Sequence, residues 1–177
     1  MGHRVLVTGG VRSGKSRYAE SLLQQEPVVT YIAPGPAPDG SDPEWSARVA
    51  DHQSRRPDGW VTTETTDVAS ALEGTSTPVI VDCLGTWVTA MLDELGAWDA
   101  PDAQWRPEVG KQIDSLVEAW CARRHLSVAV TNEVGFGVVP EHRSGRVFRD
   151  VLGLVNQRVA ECSDEVALVV AGRVLYL

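Results

Sequence analysis

The residue types best suited to chemistry stand together near the start of the chain, where residues 9–16 read GGVRSGKS. This segment, called the phosphate loop below, matches the pattern G-x-x-x-x-G-K-[ST] and lies between an apolar run and a helical pattern. Its glycines let backbone N–H groups surround a phosphate, the following helix N-terminus adds roughly half a positive charge, and Lys15 adds a full one. Ser16 offers a hydroxyl ligand for Mg²⁺, and Arg12 is a candidate phosphate contact. A simple turn would not need Lys15 and Ser16 together, so the pattern predicts a nucleotide-phosphate site.

Asp82 is a second candidate because it ends the apolar run PVIVD, residues 78–82. P-loop proteins hold Mg²⁺ with a carboxylate at the end of a central strand. An aspartate at the end of a strand is also common as a turn residue or helix cap. Its combination with the phosphate loop favours the metal-binding interpretation.

Two interpretations of His52 remain open from the residues alone. It shares a predicted helical stripe with Trp45 and Val49, which is typical of a half-buried histidine that packs on an apolar face. Arg55 and Arg56 follow closely and place fixed positive charge beside an imidazole that is largely neutral at pH 7. A neutral imidazole is a nucleophile, so His52 could instead attack phosphorus.

The composition restricts the possible partners and location. A length of 177 residues suits one domain spanning 1–177, and a net charge of −8 argues against nucleic acid, whose phosphates attract clustered Lys and Arg. No apolar run approaches the roughly 20 residues that cross a bilayer, and no secretion signal precedes the first strand pattern. We therefore expect a cytoplasmic protein without a membrane span. Its three cysteines, Cys83, Cys121 and Cys162, lack a metal-ligand spacing and are expected to be reduced thiols.

Apolar runs rich in Val and Ile alternate with longer amphipathic stretches, which predicts an α/β fold with a mostly parallel sheet flanked by helices. The predicted strands cover residues 4–9, 28–33, 78–83 and 127–132, followed by two C-terminal runs between 165 and 177. Only Ala171 and Gly172 separate the last two runs, so they must form an antiparallel hairpin, because a parallel crossover needs about a dozen residues. Helices are predicted over residues 14–25, 43–55, 84–95, 105–124 and 143–162.

Two predicted loops follow strands directly, which is where ligands of α/β sheets bind. Residues 33–43 contain four Pro and two Gly, so they cannot form regular structure. Residues 131–143 read TNEVGFGVVPEHR and are unusually apolar for a solvated loop. We expect this second loop beside the phosphate loop, packed on a bulky ligand or on another subunit. An ordinary connection in which Glu133 caps a helix is the alternative.

Three longer segments, in this order and at this spacing, resemble one family. They are RVLVTGGVRSGKSRYAESL (4–22), SARVADHQSRRPDGW (46–60) and VTNEVGFGVVPEHRSGRVFRDVLGLVNQRVAECSDEVALVVAG (130–172). The chain is similar, over nearly its whole length, to the bifunctional adenosylcobinamide kinase and adenosylcobinamide-phosphate guanylyltransferase. The second and third segments are not general P-loop features, and the resemblance is weakest over residues 93–120. It implies a P-loop NTPase fold of the RecA-like kind that assembles as homotrimers.

The resemblance also implies two activities in cobalamin biosynthesis. One phosphorylates the aminopropanol hydroxyl of adenosylcobinamide with a nucleoside triphosphate, ATP or GTP. The other transfers GMP from GTP to adenosylcobinamide phosphate through a covalent guanylyl-histidine and releases pyrophosphate. Mg²⁺ is the expected cofactor of both nucleotides.

Carried over by position, the guanylylated histidine falls on His52, and Lys15 is the expected catalytic charge on the transferred phosphoryl group. Ser16 and Asp82 are the candidate metal ligands. The resemblance places nucleotide contacts in five parts of the chain: Gly9, Gly10, Val11, Arg12, Ser13, Gly14, Lys15 and Ser16; Ala33, Pro34 and Gly35; Gln53, Ser54, Arg55 and Arg56; Glu64; and Asp82.

Two positions depart from the family pattern. Many relatives have a second histidine where this chain has Asp51, which leaves His52 as the only candidate nucleophile. The family often has Glu at the position of Asp82, and the shorter side chain leaves both metal and ribose as possible contacts. Two other functions remain open: a small-molecule kinase in which His52 is structural, and a non-catalytic switch in which GTP orders residues 33–43.

Overall fold

The computed structural model describes residues 2–35, 47, 50 and 56–177. The strands in these ranges are β1 (Arg4–Gly9), β2 (Val29–Ala33), β3 (Trp60–Glu64), β4 (Val79–Asp82), β5 (Ser127–Val130), β6 (Glu165–Val170) and β7 (Arg173–Tyr176). The helices are α1 (Lys15–Leu22), α2 (Val68–Glu73), α3 (Leu84–Glu94), α4 (Asp102–Cys121) and α5 (Arg143–Glu161). The described strands form one sheet with the order β3-β2-β4-β5-β1-β6-β7.

The sheet is parallel from β3 to β6 and ends in one antiparallel pair, which confirms the predicted α/β fold and its C-terminal hairpin. Ala171 and Gly172 form the turn of this hairpin with φ values of 50° and 75°. Two consecutive positive φ values are typical of the tight turns whose twist suits a β-hairpin. The short connection therefore decides the direction of β7.

Alternation along β1 shows how the sheet separates two apolar layers. Val5 and Val7 pack on the face covered by Ala19 of α1, whereas Leu6 packs on the opposite face with residues of α3, α4 and α5. Successive side chains of a strand point to opposite faces, so one strand contributes to both layers. The second layer contains the largest fully buried side chains of the helices, Trp105 and Trp120 of α4.

Two elements were not predicted, and one prediction lies outside the described residues. Strand β3 reads WVTTE and buries only Trp60, because it is an edge strand that, among the described strands, pairs only with β2. Helix α2 has six residues, too few for a clear helical period, and begins where Asp67 Oδ1 accepts a hydrogen bond from Ser70 N at 3.1 Å. The helix predicted over residues 43–55 falls almost entirely outside the described ranges.

The prediction of three reduced thiols was wrong for two of them. Cys121 and Cys162 form a disulfide, with Cα atoms 5.4 Å apart, and Cys83 is a free thiol. The two bonded residues lie 41 positions apart, so their spacing in sequence carries no sign that α4 and α5 end side by side. Among the described residues, no helix has both the length and the apolar character needed to cross a membrane.

Candidate active site

The carboxyl ends of the parallel strands gather most candidate residues at one edge of the sheet. β1 ends at Gly9, where the phosphate loop begins, and β4 ends at Asp82. In the register of the sheet, Ala33 at the end of β2 pairs with Glu64 at the end of β3. Parallel strands share one direction, so these ends lie on the same side of the sheet, where α/β proteins bind ligands. The structure thus brings the phosphate loop, residues 33–35, Glu64 and Asp82 to one edge.

Two glycines give the phosphate loop its shape for separate reasons. A Cβ atom at Gly9 would overlap the carbonyl oxygen of Val169 and lie 2.7 Å from Ser13 Oγ, so close approach excludes a side chain there. Gly14 has φ +94°, a left-handed conformation, and precedes α1 without a side-chain cap. The first N–H groups of a helix have no partner within the helix, so they can bind an anion. The local geometry is that of a phosphate cradle.

The candidate side chains of the phosphate loop, Lys15, Ser16 and Arg12, lie on and beside this cradle. Lys15 Nζ donates to the carbonyl oxygen of Gly10 at 3.2 Å, so its ammonium group closes back across the loop. Ser16 follows in the first turn of α1, and Arg12 is exposed with φ 54°. The positive charge of Lys15 and the hydroxyl group of Ser16 therefore lie at the positions expected of a nucleotide-phosphate site.

The turn of the C-terminal hairpin contacts the phosphate loop directly. Gly172 N donates to Ser13 O at 2.8 Å, and a Cβ atom on Gly14 would lie 3.5 Å from Gly172 Cα. The sequence predicted the hairpin but not this contact, because it depends on β6 lying next to β1 in the sheet. The turn that reverses the chain thus also positions the loop.

Asp82 belongs to a network that sequence reasoning missed. Tyr31 donates its hydroxyl hydrogen to Asp82 Oδ2 at 2.9 Å, and the guanidinium carbon of Arg56 lies 3.4 Å from the centre of the Tyr31 ring. Burial, and next the negative charge of Asp82, raise the pKa of Tyr31 well above its ordinary value, so its hydroxyl stays a donor at neutral pH. Tyr31 lies in the strand predicted over residues 28–33 but was not among the candidate site residues.

The thiol next to Asp82 is not a candidate nucleophile. Burial, and then the negative charge of Asp82, raise the pKa of Cys83 above its ordinary value. Only the thiolate is strongly nucleophilic, so this cysteine stays unreactive at neutral pH. Cys83 Sγ lies 2.9 Å from Thr86 Oγ1, within hydrogen-bond distance.

The loop over residues 131–143 lies beside the phosphate loop, as predicted, since Glu133 N donates to Gly9 O at 3.1 Å. Helix α5 contacts the backbone of this loop: the Arg149 side chain donates to the carbonyl oxygens of Gly135 and Gly137 at 2.8 and 3.1 Å. Apolar side chains therefore remain outside on a fixed backbone, with exposed fractions of 85% for Phe136, 94% for Val138 and 64% for Val139. Their packing on a bulky ligand or on another subunit stays a prediction.

Ser16 and Asp82 fit Mg²⁺ by the chemistry of their donor atoms. A hydroxyl and a carboxylate are both hard oxygen ligands, which Mg²⁺ prefers. No group of three or more His, Cys, Asp or Glu that could hold a metal occurs in the described part of the chain. An ion that binds together with a nucleotide does not need one, because substrate phosphates supply further ligands.

The segment proposed to contain the nucleophile falls outside the described ranges, except for its last residue. His52, Gln53, Ser54 and Arg55 lie outside the described residues, so their assignment stays a prediction. Arg56, the next residue, is described and packs on Tyr31.

The sheet order, the phosphate loop after β1 and the acidic end of β4 define a P-loop nucleotide-binding fold. It is similar to the fold of a prototypical ATPase from the type III secretion system of pathogenic bacteria, with a TM-score of 0.59 and 15% sequence identity. The match covers 95% of this chain and 51% of that one, so this chain spans about half the length of the ATPase. At this identity the likeness concerns the fold alone.

The family can be stated more narrowly. Residues 5–177 match the family described as cobinamide kinase / cobinamide phosphate guanyltransferase, and the chain belongs to this family. It is 42% identical to the bifunctional adenosylcobalamin biosynthesis protein CobU of Salmonella typhimurium strain LT2 and 40% identical to that of Escherichia coli K12, covering 95% of this chain and 96% of each relative. It is 35% identical to the corresponding protein CobP of Pseudomonas aeruginosa, over 96% of this chain and 94% of that relative. The expected family is therefore confirmed.

Proposed function

We propose that this chain carries out both reactions of its family at the sheet edge that bears the phosphate loop. It phosphorylates adenosylcobinamide with ATP or GTP, and it then transfers GMP from GTP to adenosylcobinamide phosphate, giving adenosylcobinamide-GDP and pyrophosphate. Two observations support this proposal: residues 5–177 match a family described by both activities, and residues 9–16 form the phosphate loop after β1.

The kinase step relies on positioning and charge. Backbone N–H groups at the start of α1 and the ammonium group of Lys15 bind the phosphates and stabilise the charge that spreads over the transferred phosphoryl group. Ser16 and Asp82 would hold Mg²⁺, which neutralises phosphate charge when it is bound. The hydroxyl oxygen of adenosylcobinamide forms the new bond to the γ-phosphorus while the bond to the β–γ bridging oxygen breaks, so the nucleoside diphosphate leaves and the hydroxyl proton is released to solvent.

The guanylyl step needs a nucleophile, for which we propose His52. Its neutral imidazole nitrogen forms a bond to the α-phosphorus of GTP as the bond to the α–β bridging oxygen breaks, so pyrophosphate leaves. A phosphate oxygen of adenosylcobinamide phosphate then attacks the same phosphorus, and the P–N bond breaks. This divides a difficult transfer between two anions into two easier steps.

The covalent chain supports this role for His52. Arg56 is four residues further along, and four residues span at most about 14 Å. Arg56 itself lies on Tyr31, which is hydrogen-bonded to Asp82 at the edge of the sheet. The side chain of Arg56, the first described residue after His52, thus contacts the residue that is hydrogen-bonded to Asp82, which supports the proposal.

The test is covalent labelling with GTP that carries the label at the α-phosphate. We expect acid-labile, alkali-stable label on the unaltered protein and on His125→Ala, and none on His52→Ala. His125 is a matched control because it is exposed and precedes β5 at the opposite, amino-terminal edge of the sheet. Absence of label on the unaltered protein, or full label on His52→Ala, would remove the guanylyl-histidine.

Turnover separates the proposal from the two other functions. Mass spectrometry of adenosylcobinamide incubated with Mg²⁺ and GTP should show gain of phosphate and then of GMP. Gain of phosphate alone supports a kinase with a structural His52, and gain of neither supports a GTP-dependent switch.

The remaining expectations belong to the same proposal. A homotrimer of single-domain chains should have three times the chain's 19.2 kDa in light scattering. The cytoplasmic location and the absence of a nucleic-acid partner stay predictions from the sequence.

A further inference from the structure

Tyr31 touches two candidate nucleotide contacts at once, although it lies inside the sheet. Its side chain is 1% exposed, and its ring centre lies 6.4 Å from that of Trp60 in the apolar layer on the α1 side. The hydroxyl group reaches Asp82, and the ring face carries the guanidinium group of Arg56. A residue needed only for packing would not require either polar contact.

The register of the sheet explains why the hydroxyl reaches Asp82. Tyr31 pairs with Ile80 on the neighbouring strand β4, and Asp82 is two residues further along. Side chains two residues apart share a face, and the strand advances about 6.6 Å over that distance. The length of a tyrosine side chain spans that advance, so the hydroxyl meets the carboxylate at 2.9 Å.

The hydrogen bond orients the carboxylate. Tyr31 donates to Oδ2, and a carboxylate can accept several further bonds or ligands through its two oxygens. A donor that holds one oxygen restricts rotation of the group about its own bond, so the direction in which Asp82 presents its oxygens to a ligand is preset. Such support of a ligating carboxylate contributes to affinity for the group that it binds.

The ring face orients Arg56 in a separate way. Its guanidinium carbon lies 3.4 Å from the ring centre, and Nη1 donates to Thr62 Oγ1 at 2.7 Å. Thr62 is the residue on β3 that pairs with Tyr31, so the strand pair and the ring together hold the guanidinium plane. A cation above an aromatic face is attracted to it, and a flat guanidinium stacks well.

We propose that Tyr31 is a positioning residue of the nucleotide site, which orients Asp82 through its hydroxyl group and Arg56 through its ring face. The inference rests on the proposed function in one respect only, that Asp82 and Arg56 contact the nucleotide or its metal. It assigns Tyr31 no contact with the reacting atoms.

The test measures equilibrium binding of a non-hydrolysable GTP analogue with Mg²⁺ to the full chain. Tyr31→Phe removes the hydroxyl group and keeps the ring, and we expect it to weaken binding about 10-fold, the lower range for a hydrogen bond to a charged group. Tyr176→Phe is the matched control: it removes a phenol hydroxyl on β7, at the other side of the sheet, and should leave the affinity unchanged.

A double-mutant cycle separates positioning from general stability. If Tyr31 acts through Asp82, Tyr31→Phe changes the affinity by less than about 2-fold in the Asp82→Asn background. Tyr31→Leu also removes the ring, and we expect it to weaken nucleotide binding more than Tyr31→Phe does. This additional loss of affinity should vanish in the Arg56→Met background. If the Tyr31→Leu variant does not fold, Tyr31→Met is used in its place. Unchanged affinity in Tyr31→Phe, or an equal loss in both Asp82 backgrounds, would overturn the assignment of the hydroxyl group. An equal additional loss of affinity in both Arg56 backgrounds would overturn the assignment of the ring face.

The binding and labelling experiments distinguish a failure of this inference from a failure of the proposed function. A protein that binds the analogue but forms no guanylyl label contradicts the proposed function, and the affinity of Tyr31→Phe still decides the role of Tyr31. A protein that forms the label while Tyr31→Phe binds normally contradicts this inference alone.

Discussion

Opening the Cys121–Cys162 disulfide should strongly destabilise the fold without changing its affinity for nucleotides. The bond joins the end of α4 to the residue after α5. It lies near the start of β1, where Arg4 Nη1 donates to Cys121 O at 2.6 Å, whereas the phosphate loop follows the other end of that strand. Neighbouring contacts persist without the bond, including Trp120 Nε1 to Ser163 Oγ at 3.1 Å, so the folded structure should survive reduction.

The size of the effect follows from the loop that the bond closes. A separation of 41 residues in the unfolded chain corresponds to about 4 kcal/mol of lost chain entropy at 25 °C. For a chain of this length, each kcal/mol shifts the melting temperature by about 2–4 °C, so reduction should lower it by about 8–16 °C.

Urea unfolding with and without dithiothreitol measures this change, and the Cys121→Ser/Cys162→Ser variant is the control in which the reductant should have no effect. Thiol counting provides an independent check: unfolded protein should show one reactive thiol before reduction, Cys83, and three after it. Equal unfolding free energies in both conditions would refute the reasoning, as would three reactive thiols without reductant.

Two further substitutions test the site and the scaffold separately. Lys15→Ala should lower the kinase rate at least about 100-fold, because the transferred phosphoryl group loses its main point charge, while Lys111→Ala, on the surface of α4, should not. Phosphate transfer from a γ-labelled triphosphate measures this, and a near-normal rate in Lys15→Ala would mean that the nucleotide binds elsewhere. Arg123→Met should reduce the unfolding free energy by about 3 kcal/mol or more, since the buried guanidinium donates to three backbone carbonyls within residues 72–77. The exposed neighbour substitution Arg124→Met provides the comparison in urea unfolding, and an equal effect of both would contradict this account.

The central strands were predictable because of where they lie. β1, β4 and β5 have neighbours on both sides and helices on both faces, so nearly every residue is buried and the apolar runs are continuous. β3 is an edge strand with three exposed residues among five, and its sequence therefore resembles a loop. Helix α2 is too short to display a period.

The candidate site also contains some residues that the sequence identified and others that it did not. The phosphate loop was recognisable because its function depends on a local backbone shape, which the order of glycine, lysine and serine specifies within eight residues. Tyr31 was not recognisable, because its hydrogen-bond partner lies 51 residues away and becomes its neighbour only through the pairing of β2 with β4.

Neighbouring residues and continuous motifs were enough to predict the family, the alternation of strands and helices, the phosphate loop and the direction of the last strand. The contacts between distant residues depend on the folded sheet: Ser13 with Gly172, Tyr31 with Asp82, and Cys121 with Cys162. The same pattern of apolar runs is compatible with several orders of strands, and each order would bring different side chains together. The order of the sheet thus decides what supports the phosphate loop and what orients the carboxylate beside it.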